Sequence, residues 1–171
     1  MKKLFALCLS LAAVTTLHAQ TPTPPKPGPE VEMLKNKMVG TWETTSRYAG
    51  GEGKGTAVYS MELGGLWLFG KTESNMNGQK FMGHSMETWD PHQKKYVCTW
   101  VDSMATAPSN LSGTYDPATK TCTMTGEGPG KDGKMEKQKT IARWTDDNNF
   151  TFMMYEGSAA DPSVTVMYKR K

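Results

Sequence analysis

With 171 residues, 37% of them hydrophobic and 22% charged, the chain has the size and balance of one globular domain that needs no disulfide to be stable. Its Lys+Arg 20 and Asp+Glu 17 come still closer to neutrality once Lys2 and Lys3 are assigned to a leader. That balance leaves no electrostatic footprint for nucleic acid or an anionic membrane surface.

Residues 1–19 read as a secretory signal peptide. A basic start is followed by an apolar run from Leu4 to Val14, broken only by Ser10, and by Leu17-His18-Ala19 with a small residue before the cut. The run is shorter than the roughly 20 apolar residues a transmembrane helix needs. A lipoprotein leader built on Cys8 is disfavoured, because Cys8 follows Leu7 inside the apolar run. The expectation is an exported, periplasmic or extracellular chain without a transmembrane segment. Residues 20–29 hold Pro22, Pro24, Pro25, Pro27 and Pro29 and read as an extended tether. The domain then runs from 30 to 171. Val31, Leu34 and Met38 stand at helical spacing between Pro29 and Gly40 and predict a short helix over 30–39.

From Thr41 onward, alternating segments are separated by turn residues at roughly ten-residue intervals, the pattern of an all-β sandwich or barrel. Strands are predicted at 40–49, 55–63, 66–75, 79–89, 94–103, 109–115, 120–127, 135–145, 149–156 and 163–170. The turns are Gly50-Gly51, Gly64-Gly65, Asn77-Gly78, Asp90-Pro91, Asp116-Pro117 and Asp146-Asp147-Asn148. Short turns make hairpins, so the strands form a meander. A meander this long leaves two sticky edges unless it closes on itself. The fold expected is a ten-stranded antiparallel up-and-down barrel with a short N-terminal helix, its wall two-faced as in Phe150, Phe152 and Met154 against Thr151, Met153 and Tyr155.

Gly40-Thr41-Trp42, opening the first strand after a helix, resembles the signature of the calycin superfamily of lipocalins and fatty-acid-binding proteins. That resemblance implies that a basic residue of the last strand packs across the tryptophan, and Tyr168-Lys169-Arg170 is placed to supply it. Gly40, Trp42 and Arg170 would then plug one end. More closely, Pro27-Gly28-Pro29-Glu30, Gly40-Thr41-Trp42, the run Tyr96 to Met104, Gly113-Thr114-Tyr115-Asp116 and Tyr168-Lys169-Arg170 resemble the exported bacterial domain of unknown function 1579 family. This second resemblance covers nearly the whole mature chain and implies a lipocalin-like barrel with no established activity. The further lipocalin motifs are absent, so lipocalin ligand classes do not transfer.

Candidate sites follow from strand alternation. Trp100 shares a face with Tyr96, Cys98 and Asp102, and Tyr96, Trp100, Asp102 and His84 are the candidates for lining a cavity. Met82, His84 and Met86 share one strand face and offer soft ligands suited to Cu(I), although residues two apart on a strand stand about 6.6 Å apart. The competing reading makes these methionines barrel filling. Haem would require His84 or His92 as an axial ligand, and Asp102 with His84 would be an acid–base pair; Asp102 also reads as a turn cap. Cys98 and Cys122, on strands two apart, stand about 9.6 Å apart against the roughly 7 Å a disulfide tolerates. A bridge and two buried thiols both stay open. Gly126-Glu127-Gly128-Pro129-Gly130-Lys131 opens no helix and reads as a hairpin loop, not a phosphate cradle. No nucleophile elbow, zinc-protease helix, Walker loop or dinucleotide fingerprint occurs, and no cofactor is expected. The leading functional expectation is a barrel that binds a small, largely apolar molecule. The alternatives are a filled barrel whose loops meet an envelope protein and, more weakly, an enzyme using a cavity acid–base pair.

Overall fold

The computed structural model of the protein describes residues 23–171, so the signal peptide expected at 1–19 and the first residues of the expected tether lie outside the described residues. Residues 23–28 carry no regular secondary structure. Helix α1 (Pro29–Met38) begins on Pro29, which needs no amide partner in a first turn, and places Glu30 and Glu32 near its N-terminus and Lys35 and Lys37 near its C-terminus. Its buried side chains are Val31, Leu34 and Met38, the helical stripe read from the sequence.

Ten strands follow: β1 (Gly40–Tyr48), β2 (Gly51–Glu62), β3 (Trp67–Met76), β4 (Gln79–Asp90), β5 (Lys95–Asp102), β6 (Ser109–Asp116), β7 (Thr121–Pro129), β8 (Met135–Asp146), β9 (Asn149–Glu156) and β10 (Val164–Arg170). Each pairs antiparallel with the next, and β1 pairs with β10 to close the barrel. Closure leaves no free sheet edge.

The Gly126 to Lys131 segment corrects the hairpin-loop reading. β7 runs through Pro129, and the turn falls later, where the Gly130 amide donates to the Lys134 carbonyl. Gly126 and Gly128 are in the strand because a Cβ at Gly126 would strike the backbone of Asn110, and one at Gly128 the side chains of Ser109 and Gln138. These glycines serve close approach between strands, the second common use of glycine after turns.

One end of the barrel is closed. Trp42 is fully buried, and its indole N–H donates to the Met38 carbonyl at 2.8 Å. The Arg170 guanidinium lies 4.1 Å from the Trp42 ring centroid and donates to the carbonyls of Val39 and Lys37. That satisfies the charge with the last carbonyls of α1, where the helix dipole is negative. Phe150 packs edge-on against Trp42 and stacks on Tyr168 and Trp144. The helix covers this end, with the Tyr96 hydroxyl donating to the Glu30 carbonyl.

Candidate functional site

Register decides which side chains enter the barrel, because every residue paired with an inward one is itself inward. Starting from Trp42, the pairing Trp42↔Ala57, Ala57↔Thr72, Thr72↔Gly83 and Gly83↔Asp102 carries the inner face from β1 to β5. Trp42↔Arg170 and Tyr168↔Phe150 carry it the other way. Tyr96, Cys98, Trp100 and Asp102 therefore face inward.

His84 does not. It pairs with Lys71 and Val101 on the outer face and is exposed, as are Met82 and Met86. This corrects two expectations. His84 is not a cavity residue, and Asp102 and His84 stand on opposite sides of the wall and form no acid–base pair. The soft-ligand trio is a spaced row on an open surface, and the reading of these methionines as interior filling is also overturned. His92 lies in the turn after β4, where its amide donates to Asp90, so neither histidine offers an axial ligand to the lumen.

Asp102 has a local task. Its carboxylate accepts from the Trp100 indole N–H at 2.7 Å and from the Met104 amide at 2.8 Å. The Trp100 ring is thereby held flat against the wall over Gly83, where a Cβ would collide with it, and it stacks near Phe81 at 6.4 Å. Gly83→Ala should destabilise the protein by about 1 to 3 kcal/mol, the usual cost of overpacking. Urea unfolding measures it, and a cost near zero would show that the ring is free to swing away.

Below Trp100 lies a group that the sequence reading missed. Glu87 faces inward from β4, opposite Leu68 on one side and Cys98 on the other. It makes no hydrogen bond or ion pair among the described residues, and burial alone pushes its carboxyl up to about 7. On the same inner face are Tyr59 and Tyr168, with Tyr96, Cys98 and Cys122. Burial raises all five, with Cys122 pushed up to about 12. They stay protonated and neutral. Cys98 and Cys122 are free thiols. The signal that would have found Glu87 is its parity with Trp89, two residues along the same strand face.

The lumen is not packed solid around this cluster. Glu87, Tyr59, Tyr168, Phe152, Leu111 and Cys98 all face inward within a closed wall, yet each keeps accessible surface. Gln138 also faces inward, and its Oε1 is buried without a donor. Among the described residues no group of three or more His, Cys, Asp or Glu side chains is placed to hold a metal ion, and no helix is long and apolar enough to cross a membrane.

A family model described as a protein of unknown function (DUF1579) matches residues 26–170. No curated protein matches the chain. Among solved structures, that of Rv2717c from M. tuberculosis is similar at a TM-score of 0.60 and 12% identity, covering 85% of this chain and 99% of that one. A de novo designed fluorescence-activating β-barrel is similar at a TM-score of 0.47 and 11% identity, covering 81% of this chain and 97% of the design. At 12% identity the likeness to Rv2717c is one of fold.

Proposed function

We propose, for a chain that belongs to the DUF1579 family of unknown function, that the barrel is an exported binding protein holding one small, largely apolar molecule in its lumen. The observation that carries this reading is the accessible surface retained by inward-facing side chains above a closed base. Apolar surface left open inside a stable wall is surface a ligand can cover, at about 25 cal/mol per Å². Trp100 and Phe81 stand nearer the open end, where they flank the route inward. The leader read at residues 1–19 supports export.

A neutral apolar dye, N-phenyl-1-naphthylamine, should bind saturably at one per chain with blue-shifted emission. Ala142→Trp, which fills the inner face between Cys122 and Phe152, should abolish that uptake, and Met86→Ser on the outer wall should leave it intact. Native mass spectrometry of protein taken from its own host should show a defined extra mass. A bare polypeptide mass together with no saturable dye uptake would overturn the reading.

A further inference from the structure

Apart from Arg170 at the closed base, the charged residues that the described strands place on the inner face share one sign. Inward positions, assigned by register, include Asp102, Glu136, Glu156 and Glu87. The single inward cation of the strands is Arg170, and it is committed at the closed base to the Trp42 ring and to the carbonyls of Val39 and Lys37. Every lysine of the strands alternates to the outer face. Towards the mouth, Asp102 is used by Trp100 and Met104, and Glu156 stands 4.0 Å from Lys131 of the turn after β7. Glu87 differs from both. It lies deepest of the four, enclosed by the wall, with no cation and no hydrogen-bond donor engaged. Gln138 Oε1 is a second inward acceptor without a donor.

A carboxyl that faces the lumen with no protein partner leaves its charge for water or a ligand to answer. Its walls also have a particular character. Tyr59, Tyr168, Trp89 and Tyr96 stand on the inner face around it, with Trp89 and Tyr96 edge-to-face at 5.0 Å. Aromatic faces attract cations, the more strongly where water is excluded. A carboxylate set among aromatic rings and lacking its own cation is the chemistry that receives an organic ammonium ion. A carboxylate ligand would meet repulsion from Asp102, Glu136 and Glu87, the inward carboxylates that no cation answers.

Resting on the lumen-binding reading above, we propose that the ligand is an apolar amine, its protonated nitrogen seated against Glu87 and its hydrocarbon part extending toward Trp100. Glu87 is then the residue that selects the ligand class. The neighbouring titratable groups, Tyr59, Tyr96, Tyr168, Cys98 and Cys122, are all held protonated by burial. Glu87 is therefore the group of this cluster that exchanges a proton when the ammonium arrives.

Calorimetric titration of the mature chain at pH 7 with octylamine, octanol and octanoate tests this. Octylamine should bind at least about ten-fold more tightly than octanol, a difference of roughly 1.4 kcal/mol, and octanoate should bind most weakly. Its binding heat should vary between buffers of different ionisation enthalpy in the sense of proton release. Glu87→Gln should retain octanol binding and lose both the amine preference and the buffer dependence. The wild-type buffer comparison stands even if that variant does not fold. Octanol or octanoate binding as tightly as octylamine would overturn the amine assignment and leave the lumen reading in place. No binding by any of the three, with no dye uptake, would overturn both.

Discussion

Trp42→Ala is expected to lower the stability of the barrel by about 3 to 5 kcal/mol, the usual loss for truncating a buried large aromatic. Three separate supports go at once. The indole fills the closed base and is fully buried, its N–H satisfies the last-turn carbonyl of Met38, and its face carries Arg170. Without the ring, the guanidinium keeps its carbonyl partners but stands over a void, and Phe150 loses its edge contact. The comparison of wild type and variant by urea denaturation measures the effect. A loss well under 1 kcal/mol would mean that α1 and Arg170 close the base unaided.

The second large effect is a dependence on pH. Glu87 titrates near 7 in the folded protein because burial disfavours its charge, whereas an unfolded glutamate titrates near 4.3. The folded state thus binds more protons than the unfolded state between these values. Stability is highest below about pH 4.3 as far as this group is concerned, and falls as pH rises through about 7. The full loss is on the order of 4 kcal/mol, from about 1.4 kcal/mol for each pH unit of difference. The exposed carboxylates Asp90, Asp116, Asp132 and Asp146 act oppositely and in another window. Hydrogen bonds hold them low, and the stability they contribute disappears on acidification below about pH 4. Wild type minus Glu87→Gln isolates the first effect. Chemical unfolding from pH 5 to 8 should show the wild type falling relative to the variant, and parallel curves would show that Glu87 is freely solvated.

The wall of the barrel is legible in the sequence because its turns are chemically marked. Asn77-Gly78 and the aspartate turns set strand ends, and the ten predicted strands correspond one to one with those observed. The largest shift is at β2, which starts at Gly51, because Gly53 and Gly55 fit the tight approach to β3 and act as strand residues. The interior was harder to read for a physical reason. Alternation separates two faces of a strand without saying which is inside, and in β4 apolarity points the wrong way. Met82 and Met86 are exposed, while Gly83 and Ser85 are buried, since the inner face must make room for Trp100 and Tyr59. The soft side chains of Met82, His84 and Met86 drew attention to the outer face, and Glu87 escaped notice as an ordinary charged residue. Tyr59 and Tyr168 escaped because their meeting crosses β1, a relation that only the closed register supplies.

That same register makes β10 the latch of the whole container. Neighbouring strands elsewhere pair with sequence-adjacent partners, but Trp42 must wait for Arg170, and the Lys171 amide for the Thr41 carbonyl. Until β10 has been made, β1 and β9 each present a bare row of amides and carbonyls, open to pairing with another chain. Loss of even the final strand would thus convert a sealed vessel into a sheet seeking a partner, and a second copy, itself lacking the same strand, is what it would meet at high concentration.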